Sequence, residues 1–102
     1  MRQGEIWWAD LPDEKGRPYL VLTRPRAIPV LHSVLVAPLT TRTRGVAAEV
    51  AVSRAEGMPT DCVASLDNVK TIRKSLLTRQ VGALGSGRWH EVCAAMRAAI
   101  DC

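Results

Sequence analysis

The sequence predicts a small β-rich α+β barrel, one domain spanning residues 1–102. Two observations lead there. Short β-forming runs separated by Pro, Gly and Asp fill the first 84 residues, and the periodicity turns helical after Gly85. The chain's 102 residues suit one hydrophobic core, and 47% hydrophobic content argues against wholesale disorder. No apolar run reaches the ~18 residues of a membrane-spanning helix. The first residues, Met1-Arg2-Gln3-Gly4-Glu5, develop no secretory stretch, so a cytoplasmic location and no membrane partner are expected.

The elements follow in order. Ile6 to Asp10 is rich in β-formers and is stopped by Leu11-Pro12-Asp13. Asp13 to Arg17 is a charged turn in which Gly16 is expected to supply a positive φ. Tyr19 to Thr23, bounded by Pro18 and Pro25, reads as a buried strand, and residues 24–29 as an irregular surface loop. Ser33 to Ala37 is a central strand, and Pro38 implies an edge or a strand end. Ala47 to Val52 and Asp61 to Leu66 are further strands, joined through a loop with Gly57 and Pro59. Gln80 to Leu84 adds a short closing strand. Ser86 is the expected N-cap of a helix over Arg88 to Ile100, whose apolar positions are Trp89, Val92, Cys93, Met96 and Ile100.

Charge and cysteine usage narrow the function classes. Of 14 basic residues 11 are arginine, and residues 42–79 hold seven basic against four acidic side chains. The net charge of +4 permits an anionic partner without demanding one. Cys62, Cys93 and Cys102 are an odd number without C-x-x-C spacing, which argues against a disulfide framework. His90 and Cys93 cannot by themselves fill a four-ligand zinc site, so no metal or other cofactor is expected. His32 has no Ser/Asp or Cys pattern near it for nucleophilic catalysis.

Polar side chains on loops at strand ends remain. Glu14 to Arg17 leads into the second strand, and Thr40 to Arg44 leaves the third. If those strands pair antiparallel, Arg17 and Thr40 meet at one end of the sheet. A guanidinium fork and a hydroxyl there suit a phosphodiester, with Glu14 as a candidate base. RNA needs no metal for such cleavage, because its own 2′-OH can attack phosphorus. The same residues also read as an exposed Glu14–Arg17 i,i+3 pair of little worth. Arg42 and Arg44 read as backbone guides for a strand or as a solvated loop. Trp7 and Trp8 alternate faces, so at most one is fully buried.

Four segments then carry a resemblance: Gly4 to Leu11 (GEIWWADL), Gly16 to Arg24 (GRPYLVLTR), Val34 to Thr41 (VLVAPLTT) and Cys62 to Ile72 (CVASLDNVKTI). In order and spacing they resemble the MazF/PemK toxin family over roughly residues 3–100. The resemblance implies an SH3-like, plasmid-maintenance-toxin barrel with a C-terminal helix. It implies a homodimeric, metal-independent endoribonuclease that cuts single-stranded RNA and is blocked by an acidic antitoxin. Arg17 and Thr40 match the family's catalytic Arg and Thr, and Asp67 and Asn68 match a pair that reads RNA bases. Glu14 completes the catalytic set, although the loop joining it to Arg17 is shorter than in well-known members. Lys15, Thr41, Arg42 and Arg44 are the remaining expected RNA contacts. Ser65 stands where some members carry a catalytic Arg, so that role is not transferred. The alternatives are a toxin barrel of the same fold that binds a protein such as DNA gyrase, and an RNA-binding module without cleavage.

Overall fold

The computed structural model describes residues 1–102. Seven strands, one more than expected, precede one helix: β1 (Glu5–Ala9), β2 (Arg17–Val21), β3 (Ser33–Thr40), β4 (Glu49–Val52), β5 (Cys62–Ser65), β6 (Lys70–Arg73), β7 (Leu77–Ala83) and α1 (Trp89–Ile100). All pairings are antiparallel, along the path β4-β5-β3-β2-β1-β7, with β6 also on β3. The expected barrel is therefore a bent, open sheet, because β4 and β7 end the path without pairing with each other.

Strand β3 organises the bend. One of its edges pairs with β2, while the other is shared between β6 (Ser33 to Val36) and β5 (Leu39 and Thr40). Pro38 sits where the partner changes. Leu35 exchanges its backbone groups on the β2 side, so strand alternation turns the Pro38 nitrogen toward the opposite edge. There it falls between the Val36–Lys70 and Leu39–Ala64 pairs, and no ladder hydrogen bond is lost. Pro38 thus marks the end of one pairing, while the strand itself runs on to Thr40.

Strand alternation divides the core in two. Ile6, Leu20, Ala37 and Leu39 join Val92 and Ala95 of α1 in one cluster of 14 buried residues. Ala9, Tyr19, Val21, Val34, Val36 and Ile72 form the other, of 8. Leu20 is completely buried, so Leu20→Ala would cost about 2–5 kcal/mol. Neither Trp7 nor Trp8 is fully buried.

Several local expectations are corrected. Strand β6 was not anticipated, because Lys70 and Arg73 break its apolar pattern. Strand β7 starts at Leu77, three residues before the expected Gln80. The 24–29 segment buries Ala27 and Ile28 instead of lying on the surface. Gly16 has no positive φ; Asp13 takes it, at 63°. A side chain at Gly16 would collide with the Asp10 carboxylate and the Trp8 indole, so glycine is needed there for space. Ser86 begins a short 3₁₀ turn over Ser86–Arg88, and α1 starts after Arg88 without a side-chain cap. Cys93 and Ile100 face solvent, and the buried stripe runs through Val92 and Ala95.

Trp89 and Met96 pack against the same cluster as expected, and Arg88 anchors the start of the helix. Its guanidinium meets Glu91 at 2.8 Å, Glu56 at 3.2 Å and the Ala51 carbonyl at 2.7 Å. Glu56 also accepts from the Ser53 backbone N–H at 2.7 Å. The clasp ties the start of α1 to β4 and the turn after it.

Candidate functional site

The β2–β3 register places Tyr19 opposite Pro38. That is the last pair of the ladder; carried two residues further, the same register aligns Arg17 with Thr40. Opposed residues of antiparallel strands project from the same face. The row Val21–Val36, Tyr19–Pro38, Arg17–Thr40 therefore leads from the smaller core cluster out to a polar end. Arg17 and Thr40 thus lie at the same end of β2 and β3, as the chain pattern predicts.

A cleft of about 670 Å³ opens there. Seven expected residues line it: Glu14, Arg17, Thr40, Arg42, Arg44, Asp67 and Asn68. Lys15 and Thr41 do not. Lys15 is exposed on the turn before β2, and Thr41 lines a neighbouring apolar cavity. Tyr19, Pro38, Glu49, Ser65, Val69 and Lys70 complete the walls.

Fixed hydrogen bonds shape this cleft. The Thr40 hydroxyl oxygen accepts from the Arg42 backbone N–H at 3.1 Å, which leaves its proton available to a ligand. Asn68 Nδ2 donates to Ser65 Oγ at 2.8 Å, so the amide is oriented with its oxygen still able to accept. Ser65 thus supports the base-reading pair expected at Asp67 and Asn68. Glu49 gathers the loop between β3 and β4: its carboxylate accepts from the backbone N–H groups of Arg44 and Gly45, both at 3.0 Å, and from the Thr43 hydroxyl at 3.1 Å. The Arg44 bond, foremost among these, holds the Glu49 carboxyl below its ordinary 4.5 against the opposing effect of burial. That loop carries Arg42 and Arg44.

Sequence reasoning missed Lys70 and Glu49. Lys70 Nζ lies 3.4 Å from Glu14 Oε2 and 5.7 Å from the centre of the Tyr19 ring. Glu14 therefore pairs across the cleft with β6, and the local Glu14–Arg17 pair is not formed. Lys70 was legible as part of the LDNVKTI segment. Nothing in sequence spacing marks Glu49, whose role depends on how the loop folds back. Arg73 and Lys74 lie outside the cleft, and Lys74 Nζ donates to the Ile28 carbonyl at 2.7 Å.

The balance of charge is instructive. Arg17, Arg42, Arg44 and Lys70 face Glu14, Glu49 and Asp67, and Glu49 is directed at backbone amides. The ion pairs of the molecule are Lys70–Glu14, Arg88–Glu56 and Arg88–Glu91. Arg17, Arg42 and Arg44 take part in none of them. Three arginines without ion-pair partners thus stand beside a hydroxyl, and guanidinium donors of this kind match phosphate oxygens.

Fold and cleft together define an antiparallel β domain with one covering helix and an arginine-lined polar cleft. Residues 2–100 match the family described as PemK-like, MazF-like toxin of type II toxin-antitoxin system, and the chain belongs to that family. It is 37% identical to the probable endoribonuclease MazF5 of Mycobacterium tuberculosis, over 98% of this chain and 93% of that protein. It is 41% identical to endoribonuclease MazF3 of the same species, over 86% and 85%. The solved Mycobacterium tuberculosis toxin MazF-mt6 superposes with a TM-score of 0.89, at 40% identity, covering 95% of this chain and 96% of that one. A mycobacterial endoribonuclease in complex with its cognate antitoxin shares the fold, with a TM-score of 0.87 at 22% identity over 99% and 95%.

Proposed function

We propose that this chain is the toxin of a type II toxin–antitoxin pair and cuts single-stranded RNA in the polar cleft, without a metal. Family membership and relatives named endoribonucleases support the activity. The observation that supports the mechanism is that Arg17, free of any ion pair, and Thr40 line one cleft of about 670 Å³.

The reaction uses a nucleophile already present in the substrate. The 2′-oxygen bonds to the adjacent phosphorus, the bond from phosphorus to the 5′-oxygen breaks, and a 2′,3′-cyclic phosphate and a 5′-OH result. Glu14 takes the 2′-OH proton, and the leaving 5′-oxygen takes a proton from solvent water. Arg17 neutralises charge that grows on the phosphorane oxygens, and Thr40 donates to a non-bridging oxygen. Lys70 holds Glu14 over the cleft through a partly exposed, exchangeable pair. Arg42 and Arg44 guide the backbone, Asp67 and Asn68 contact bases, and Lys15 and Thr41 flank the path.

The whole chain, residues 1–102, acts as one toxin domain in the cytoplasm and as a homodimer. Its antitoxin is an acidic protein whose disordered segment orders along the arginine-lined cleft. The gyrase-binding and non-cleaving alternatives are not favoured, because the relatives at 37–41% identity are named endoribonucleases.

The test is incubation of pure protein with total RNA in EDTA, followed by sequencing of new 5′-OH ends. Discrete new ends that vanish with Arg17→Ala are expected. Equal cleavage by wild type and Arg17→Ala would remove the mechanism.

A further inference from the structure

A second cavity, of about 340 Å³, lies around the end of the sheet from the polar cleft. The two share Thr40. Strand alternation puts Trp8, Pro18 and Leu39 on the face opposite Arg17 and Tyr19, so β2 and β3 form the partition between the cavities. Met58 and Val81 form the apolar floor. Gly57, at a φ of 99°, turns the chain against the β7 backbone and delivers Met58 there.

Two features set this cavity apart from a packing defect. First, Arg79 Cζ lies 5.1 Å from the centre of the Trp8 ring, so an exposed guanidinium covers the indole at the mouth. Second, Gly16 packs closely against the Trp8 indole, and the residue after Gly16 is Arg17. The wall of the cavity thus buttresses the loop that presents the phosphate-binding arginine. Thr40, Thr41 and Thr60 bring hydroxyl side chains to its lining.

We propose that this cavity binds one nucleobase of the RNA, next to the phosphate held by Arg17 and Thr40, and so contributes to the choice of cleavage sequence. The inference rests on the endoribonuclease reading of the polar cleft. Flat apolar walls, a guanidinium plane and a few hydroxyls are what an unstacked base uses: faces for stacking, donors and acceptors for its edge. A volume near 340 Å³ lies at the small end of ligand pockets and suits one ring system. Positive charge at the mouth matches the phosphate on either side of such a base. The continuous wall through Thr40 lets one strand occupy both sites at once.

The experiment takes the shortest RNA that wild type cuts and removes, one at a time, each base flanking the scissile phosphate, keeping its ribose and phosphate. Single-turnover rates are compared for wild type, Arg79→Ala and Thr60→Trp, the last filling the mouth; both positions are exposed, and melting curves verify folding. One base removal should slow wild type roughly ten- to a hundredfold, the size of a lost base stack. Each variant should show a similar loss on intact RNA and no further loss on that abasic RNA. Penalties that multiply would overturn the proposal while leaving the endoribonuclease reading intact. Undiminished cleavage by both variants, with weakened antitoxin binding, would overturn it and give the cavity to the protein partner. Absence of any RNA cleavage by wild type would overturn both readings.

Discussion

Arg17 and Arg88 are the same residue type used in opposite ways. Arg88 engages two carboxylates and a carbonyl within 3.2 Å and fastens α1 to the sheet. Glu91 above all, as hydrogen-bond acceptor and as countercharge, holds the Arg88 guanidinium firmly in its protonated form. Arg17 sits at the mouth of a cleft and joins no ion pair. The difference teaches how to read an arginine-rich chain. A guanidinium whose donors are already used is part of the scaffold, whereas one held in place without a countercharge is ready for a ligand.

Substitutions should separate the two. Arg17→Ala should lower RNA cleavage about a hundred- to a thousandfold, the usual effect of deleting one donor to developing charge. Its melting temperature should stay near wild type, which a thermal scan checks, since Arg17 has no ion pair to lose. A large drop in melting temperature would mean Arg17 is scaffold after all. Arg88→Ala should do the reverse. Loss of its clasp should destabilise the fold by about 1–2 kcal/mol, discounted for its partial exposure. That corresponds to roughly 4–16 °C in melting temperature for a domain of this size. Cleavage per folded molecule should be unchanged.

Lys70 stands between these extremes, being paired yet inside the cleft. Lys70→Met should cost under about 0.5 kcal/mol of stability, because its pair with Glu14 is largely exposed. Cleavage should fall roughly tenfold through loss of control over the proposed base. If Lys70→Met instead melts early and cuts normally, Lys70 belongs with Arg88.

Acid offers the finest test. Glu49, Glu56 and Glu91 are all held below the ordinary 4.5: Glu49 foremost by the Arg44 backbone, Glu56 by the Ser53 backbone, Glu91 by its hydrogen bond to Arg88. A carboxylate with a depressed folded-state pKa contributes fully above its unfolded value, and the contribution is lost as pH falls through the folded value. Amide exchange at Arg44 and Gly45 should therefore be faster in Glu49→Gln than in wild type at about pH 7. The difference should shrink as pH drops below about 4.5. A pH-independent difference would show that the glutamate acts through shape instead of charge.

Much of this was open to reading along the chain. Strands over Ile6 to Asp10 and Tyr19 to Thr23 were legible because alternation and proline punctuation are local properties, and both lie within two residues of β1 and β2. Arg17 and Thr40 could be brought together because neighbouring antiparallel strands fix which ends meet. Lys70 and β6 were harder: a four-residue strand with cations at both ends has no apolar signature. The helix was placed correctly, and Trp89, Val92 and Met96 pack on the core as expected, while Ala95 and Ala99 take the places that Cys93 and Ile100 were expected to fill.

The amino-acid sequence by itself determined six of the seven strands, the terminal helix, and the placement of Arg17 and Thr40 at one end of the sheet, since each follows from short-range pattern and chain connectivity. Only the tertiary structure decided that Glu14 faces Lys70 from 56 positions away, and that Glu49 braces the arginine loop. It likewise decided that Gly16 is glycine to make room for Trp8, and that a second cavity opens behind Thr40. Those outcomes depend on which distant surfaces meet when the sheet bends around β3, and no local period encodes such a meeting.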